Sequence, residues 1–333
     1  DRGRFMIWRM FAGAVAVSVA ALCLTGPAHS QAYPSKTVTI VVPLAAGAGM
    51  DVLVRLYADK LQTKLGKPVV VENKPGAALM LAASAVATAP PDGHTLLVST
   101  STVMAINPVL YKKVNYDAEK DFTPISFYVK SPFILVVNND VPVKTVPELI
   151  KYAKESQTPL TFASTGIGTG LHLAGEYMKQ RFGLNMTHVP YRNTGQSLAD
   201  IVAGHVKMSF AEAGATLPLI RDGKLRVLAV SAATRIPTLP DVPTFAEAAG
   251  VPDFEVVSWH MLFAPAATPK EIVQRLNGEM NSIMSDPEMQ KKIVNIGLLP
   301  VGTPSLPEAQ KFIVSEREKW GSLLRKLGLQ GAQ

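Results

Sequence analysis

The sequence predicts an α/β protein of two lobes, each a mostly parallel sheet flanked by helices, joined by two crossing strands. After residue 32, short apolar runs alternate with amphipathic helical segments, the order that parallel sheets require. Two glycine-rich loops occupy equivalent places in this order, each after a strand and before a helix. Two apolar segments, 121–129 and 254–265, fit strands that cross between lobes. A single doubly wound domain is the structural alternative.

The first 32 residues have the composition of a secretory signal. Three arginines precede a long apolar run, and small residues follow it. The apolar core, residues 10–24, is shorter than the ~20 residues that span a bilayer, so a membrane anchor is the weaker alternative. We therefore expect cleavage after Ser30 or Ala32 and a periplasmic location for the remaining chain.

The ionisable residues and the cysteine content exclude several function classes. The only cysteine, Cys23, lies in the predicted signal, which leaves no disulfide or thiolate metal site elsewhere. The net charge of +7 is scattered, without a basic run interleaved with aromatic residues, so no nucleic-acid partner is expected. The histidines form no H-E-x-x-H or other close metal pair, and we expect neither a metal nor a cofactor.

The first predicted lobe begins with a buried strand at 37–42. The following segment carries apolar residues at helical spacing and is closed by Gly66. The next elements are a strand at 68–73, a helix at 78–89 and a strand at 95–100. A Pro-Pro-Asp-Gly turn separates that helix from that strand.

The same alternation continues through the second predicted lobe. Its strands are predicted at 133–138, 160–164, 186–190, 208–211 and 225–230, and its helices around 146–156, 169–182, 194–203 and 213–221. Helices at 269–284, 287–294 and 305–326 then return to the first lobe. The lobe boundaries are therefore expected at 33–128 with 258–333 for lobe 1 and 129–257 for lobe 2. A cleft between such lobes is a usual place for a ligand.

The two glycine loops, "PLAAGAGMD" from residue 43 and "STGIGTGLHL" from residue 164, predict an anion site. Glycine permits positive φ and close approach of the backbone. A helix N-terminus presents unpaired N–H groups with partial positive charge. One such loop in each lobe predicts a site that holds an anion without lysine or arginine, although ordinary strand-to-helix turns remain an alternative.

Nucleotide binding and catalysis both lack parts in this sequence. The second loop reads G-x-G-x-G rather than G-x-G-x-x-G, and neither loop has the Gly-Lys-Ser/Thr of a P-loop. Ser164 and His172 resemble a nucleophile and base, but no third acid is visible to orient them. His172 is equally expected to face the cleft or to pack against the other lobe, and His188 is expected to be a core histidine. A secreted hydrolase therefore ranks last among the candidate functions.

An ordered set of motifs covers residues 33 to 330. In chain order these are "PLAAGAGMD", "VVENKPGA", "APPDGHTLL", "INPVLY", "FASTGIGTGLHLAGE", "HVPYRN", "GKLRVLAVSAATR", "LPDVPTF" and "SWHMLFAPAATP". The set resembles the Bug (TctC-like) extracytoplasmic substrate-binding receptors of tripartite tricarboxylate transporters. The resemblance implies a monomeric, two-lobed periplasmic binding protein, type II-like, without catalytic residues. Such a receptor closes on a small carboxylate and delivers it to two integral-membrane transporter subunits.

The resemblance also implies which residues contact the ligand. In the first lobe these are Leu44, Ala45, Gly47, Ala48, Gly49, Asp51, Ala78, Leu79 and Ser101. In the second lobe they are Ser164, Thr165, Gly168, Thr169, Gly170, His172, Tyr191 and Ala211, with Arg192 farther along the cleft. For Asp51, a cap at the helix N-terminus is the preferred interpretation over a ligand contact.

Departures from the family pattern indicate the kind of carboxylate. Apolar residues replace glycine or polar ones at Ala48 and at Ala78-Leu79-Met80, and Ala211 stands where an aspartate is common. A buried methylene contributes ~0.8 kcal/mol, so we expect an aromatic or longer aliphatic body rather than citrate. The missing carboxylate at Ala211 argues against an amino acid. Alternatively, Leu79 and Met80 face the lobe core and do not change the ligand preference.

A second candidate function is a periplasmic receptor that signals to a membrane sensor kinase. Such a receptor would bind its ligand through the same interactions.

Overall fold

The computed structural model describes residues 33–47 and 49–333, and in them two groups of strands share one long strand. The predicted signal at 1–32 and the predicted contact Ala48 lie outside the described residues. Within the described part of the chain, no helix is long and apolar enough to cross a bilayer.

The strands and helices lie close to the predicted positions. The strands are β1 (Val38–Val42), β2 (Val69–Asn73), β3 (Thr95–Thr100), β4 (Phe122–Asn138), β5 (Leu160–Ser164), β6 (Met186–Pro190), β7 (Met208–Glu212), β8 (Leu225–Val230), β9 (Val257–Pro265) and β10 (Leu299–Pro300). The helices are α1 (Gly49–Leu65), α2 (Met80–Ala87), α3 (Asn107–Leu110), α4 (Val146–Glu155), α5 (Gly170–Phe182), α6 (Thr194–Val202), α7 (Ala213–Arg221), α8 (Phe245–Ala249), α9 (Lys270–Met284), α10 (Pro287–Asn295) and α11 (Leu306–Lys326). A 3-10 turn at Ala77–Leu79 precedes α2, and a π-helix at Thr102–Ile106 precedes α3.

Parallel pairing joins the strands that belong to the β-α-β units. β1 pairs in parallel with β2 and β3, and β5 pairs in parallel with β6 and β7. The later strands β8 and β9 pair with β4 in antiparallel fashion. Each sheet is therefore mixed, because the crossing strands run against the β-α-β strands beside them.

The two sheets meet where two chain segments cross between them. Strand β4 combines the predicted crossing segment with the strand predicted after it. Its residues 122–132 pair with β9, and its residues 133–138 pair with β7 and β8. The second crossing lies beside the first, since the Val256 N–H donates to Ser231 O in the second sheet while Val257 pairs with Pro132.

Helix α11 contacts the cores of both sheets. Its Ile313 packs with the core of the first sheet, whereas its Trp320 packs with the core of the second. Between them, Glu316 Oε2 accepts hydrogen bonds of 2.9 Å from the indole N–H groups of Trp259 and Trp320. The C-terminal helix, predicted to return to lobe 1, therefore also packs against the second sheet.

Candidate ligand-binding site

A cavity of about 930 Å³ lies where the loops of the two sheets face each other. Its volume is at the upper end of the range for small-molecule sites, ~300–1,000 Å³. Both glycine loops contribute to the wall. The lining residues are Pro43, Leu44, Ala45, Ala46, Gly47, Met50, Pro75, Gly76, Ala77, Ala78, Leu79, Thr100, Thr102, Phe133, Thr165, Thr169, Gly170, Leu171, Tyr191, Arg192, Asn193, Thr194, Gly195, Glu212, Ala215, Ser258 and His260.

The predicted contact residues divide between the cavity wall and the layer behind it. On the wall lie Leu44, Ala45, Gly47, Ala78, Leu79, Thr165, Thr169, Gly170 and Tyr191. Off the wall lie Gly49, Asp51, Ser101, Ser164, Gly168, His172 and Ala211. Three of the second group, Asp51, Ser164 and His172, are buried side chains that hydrogen-bond to the loops. The glycine pattern thus located the loops, but it did not separate their exposed atoms from their supports.

The second glycine loop is held by its own hydroxyl groups. Ser164 Oγ accepts from the Gly166 N–H at 3.1 Å and lies 2.6 Å from His188 Nε2. Thr169 Oγ1 donates to Gly166 O at 2.8 Å and caps α5 by accepting from the His172 N–H. Because Ser164 is occupied in this way and only 1% exposed, it positions the loop from behind.

Two histidines under this loop are kept neutral. Burial, followed by the neighbouring His188 and Lys179, lowers the pKa of His172 to about 3. Its Nδ1 accepts a 3.1 Å hydrogen bond from the Gly168 N–H, which requires the unprotonated ring nitrogen. Burial also lowers the pKa of His188 to about 4. The centroids of the His172 and His188 rings lie 4.1 Å apart. Among the described residues, no carboxylate hydrogen-bonds to His188, so the Ser164–His188 pair lacks the orienting acid of a catalytic triad.

Asp51 holds the first glycine loop from behind the wall. Its Oδ2 accepts from the Gly47 N–H at 2.9 Å and from Arg55 Nε at 3.0 Å. Asn73 Nδ2 donates to Asp51 Oδ1 and also to Leu44 O. Burial opposes ionisation, but these hydrogen bonds hold the pKa of Asp51 below its usual value. The carboxylate bonds to an N–H in front of the helix rather than inside it, so Asp51 is a loop support and not the predicted N-cap.

The loop before α2 carries unusual backbone angles at the cavity wall. Ala77, Ala78 and Leu79 have φ of 47°, 50° and 71°, in the left-handed region that disfavours side chains by about 1–2 kcal/mol per residue. The Asn107 amide donates to Ala78 O at 2.9 Å and fixes this turn. Leu79 lies on the wall and also contacts the first core, whereas Met80 contacts only that core. Leu79 is therefore placed to contact a ligand, whereas Met80 packs away from the cavity.

We expect Ala78→Gly to stabilise the protein by up to about 1 kcal/mol. Glycine removes the ~1–2 kcal/mol penalty for the left-handed conformation, which exceeds the ~0.5–1 kcal/mol it loses in unfolded-state entropy. Ala85→Gly is the matched control, because Ala85 lies inside α2 and glycine should there cost about 1 kcal/mol. Urea unfolding of both variants measures the two signs. Destabilisation of equal size in both would contradict the proposed strain.

Sequence reasoning missed Phe133, Ser258, His260 and Glu212 on the cavity wall. Glu212 immediately follows Ala211, the position where the family pattern often has an aspartate. Neighbouring strand residues point to opposite faces, so Ala211 packs into a core while Glu212 faces the cavity. A carboxyl group is thus present one position later than expected, and the argument against a ligand ammonium no longer holds. Strand alternation along 208–212 was the signal that could have located it.

Comparison with known proteins decides the family. Residues 53–329 match the model of the tripartite tricarboxylate transporter family receptor, TctC. The chain belongs to this family. It is thus a solute-binding receptor and not an enzyme.

Solved structures share the receptor's fold over most of its length. A Rhodopseudomonas palustris protein, Rpa4515 with adipate, is 35% identical with a TM-score of 0.84, covering 89% of this chain and 98% of its own. The periplasmic binding protein BugD is 32% identical with a TM-score of 0.83, covering 90% and 99%. MatC of R. palustris with bound malate is 32% identical with a TM-score of 0.80, covering 88% and 100%. The receptor therefore has the two-lobed periplasmic binding protein fold.

Proposed function

We propose that this receptor captures a small carboxylate with an aliphatic or aromatic body and delivers it to a membrane transporter. The observation that carries the proposal is one cavity lined by both glycine loops. The second loop leads into the N-terminus of α5, where backbone N–H groups and the helix dipole favour an anion. The similarity to an adipate-bound structure points to the same ligand class.

The apolar part of the cavity wall favours a ligand with an apolar body. Leu44, Met50, Leu79 and Phe133 line the space together with several alanines. Each methylene that leaves water gains ~0.8 kcal/mol, so a C6 chain or a ring gains more here than the polar body of citrate does. The side chain of Leu79, where the family pattern has a small residue, adds to this preference.

The proposed delivery includes a periplasmic location, a monomeric receptor and two integral-membrane partner subunits. Family membership supports the location and the partner subunits, and the monomeric state is part of the proposal. We place the change of lobe near Pro132 and Val257, a few residues from the boundary that the sequence predicted. This placement is supported by the partners of β4, which change from β9 to β7 and β8 at Phe133. Two short adjacent crossings of this kind suit closure of rigid lobes about a hinge.

Thermal unfolding and calorimetric titration test the ligand class. Adipate, benzoate, citrate and glutamate form the test panel. We expect adipate or benzoate to raise the unfolding temperature by several degrees, since a ligand at 100-fold its Kd stabilises by about 2.7 kcal/mol. Tight binding of citrate or glutamate without a response to adipate or benzoate would contradict the proposal that the ligand has an apolar body.

A further inference from the structure

Glu212 is an acidic side chain on the cavity wall that has no assigned partner. It is the last residue of β7 and is partly buried. Within the described part of the chain, its carboxylate makes no hydrogen bond or ion pair. It also precedes α7 at the N-cap position without capping that helix through its side chain.

The surroundings of Glu212 make an unpaired carboxylate unfavourable once the cleft closes. Its register partner on β4 is Phe133, an apolar side chain on the same wall. Burial raises the pKa of the Glu212 carboxyl. A buried acceptor without a donor loses its solvation with no compensation, so a ligand that supplies a donor here gains relative to one that does not.

The charges on the cavity wall also favour a ligand that supplies a donor to Glu212. Among the described residues that line the cavity, Arg192 carries a guanidinium and Glu212 a carboxylate. Arg192 is exposed at the wall and makes no ion pair with any described residue. A cavity wall with one cationic and one anionic side chain, beside the proposed anion-binding loop, complements a ligand that carries carboxylate groups and a separate donor.

From these contacts we infer that Glu212 is a specificity residue that accepts a hydrogen bond from an ammonium or hydroxyl group on the ligand. The inference rests on the proposed function and refines it, because it adds one donor substituent to the carboxylate with an apolar body. An unsubstituted acid leaves Glu212 unpaired and is discriminated against. Sites built around a buried acceptor reject analogues that lack the donor far more strongly than apolar pockets reject a missing methylene.

Calorimetry with three six-carbon diacids of equal length tests this inference. The probes are adipate, 2-hydroxyadipate and 2-aminoadipate. We expect at least one donor-bearing acid to bind the wild-type receptor about 10- to 100-fold more tightly than adipate, the range for a charge-assisted hydrogen bond. Adipate binding as tightly as both others would overturn the inference.

Two substitutions distinguish the donors and guard against a folding defect. Glu212→Leu should abolish the preference for either donor. Glu212→Gln keeps the shape and one acceptor, so it should retain a preference for hydroxyl but lose one for ammonium. The exposed Glu318→Gln on α11 is the matched control and should leave all three affinities unchanged.

The results separate failure of this inference from failure of the proposed function. A preference that survives Glu212→Leu, with thermal unfolding confirming a folded variant, overturns the role of Glu212 alone. If no diacid or aromatic acid binds the wild-type receptor, the proposed ligand class itself is wrong. If donor-bearing acids bind most tightly and Glu212→Leu removes the advantage, both stand.

Discussion

Acidification from pH 6.5 towards 4.5 is expected to destabilise the receptor steeply. The buried rings of His172 and His260 and the half-buried ring of His188 share one cause, since burial lowers the pKa values to about 3, 4 and 4, respectively. Each pKa lies below the unfolded value of ~6.5. Between the two values the unfolded chain binds protons that the native protein does not. The contribution of these histidines to stability is therefore fully present above pH 6.5 and is lost as the pH falls.

The slope of this loss is about 1.4 kcal/mol per pH unit for each histidine that stays neutral in the native protein. Over the two pH units, three such groups remove up to about 8 kcal/mol, which is a large share of the ~5–15 kcal/mol total stability of a domain. Urea unfolding at half-unit steps from pH 7.5 to 4.5 measures the slope. A stability that stays constant from pH 6.5 to 5 would contradict the neutral, buried state of these rings.

A substitution assigns part of the slope to one ring. His260 lines the cavity, and its Nδ1 has no hydrogen-bond partner among the described residues. His260→Gln should therefore lower the slope by about 1.4 kcal/mol per pH unit. The exposed His205→Gln variant is the matched control for replacing a histidine outside the buried group. Its slope should exceed that of His260→Gln.

The fold was more predictable from the sequence than the cavity wall was. Apolar runs and helical spacing located β1, β5 and α5 within a few residues, because each segment has to bury one face. The sequence did not predict that β4 would continue through both sheets. Two apolar runs joined by Lys130, Ser131 and Pro132 read as separate elements, and only the tertiary pairing with β9 keeps them in one strand.

The candidate site was predicted at the level of loops. Residues of both glycine loops line the cavity, and Gly47 and Gly168 have the positive φ that glycine permits. The direction of a side chain depends on the local turn, which the glycine spacing does not specify. Ser164 therefore faces inward to His188 while its neighbour Thr165 faces the cavity. Glu212 was missed because its recognition required the strand register rather than a motif.

Gly168→Ala is expected to damage both the stability and the ligand affinity of the receptor. Gly168 has a φ of +79°, and a Cβ added there would lie 1.9 Å from Leu110 Cδ2. Leu110 is fully buried, so it has little room to move. The backbone penalty of ~1–2 kcal/mol and an overpacking cost of ~1–3 kcal/mol together predict a loss of about 2–5 kcal/mol.

The ligand affinity of Gly168→Ala should fall together with its stability, because Gly168 lies between Thr165 and Thr169, which line the cavity. A shift of this backbone also breaks the bond from its N–H to His172 Nδ1. We expect at least a tenfold increase in Kd for the most tightly bound acid, equal to about 1.4 kcal/mol. Calorimetry on the folded fraction at pH 7.5 measures it.

Two further variants separate the steric contact from the backbone angle. Gly183 has a similar φ of +62° with nothing within 4 Å of an added Cβ, so Gly183→Ala should show the backbone penalty alone. Leu110→Val removes the δ-methyl that collides with the added Cβ in the Gly168→Ala variant, and the double variant should recover part of the lost affinity. Contact residues are expected to be non-additive in such a cycle. Equal stability losses in Gly168→Ala and Gly183→Ala, with no recovery of affinity in the Gly168→Ala/Leu110→Val variant, would show that Leu110 does not hold the second glycine loop in place.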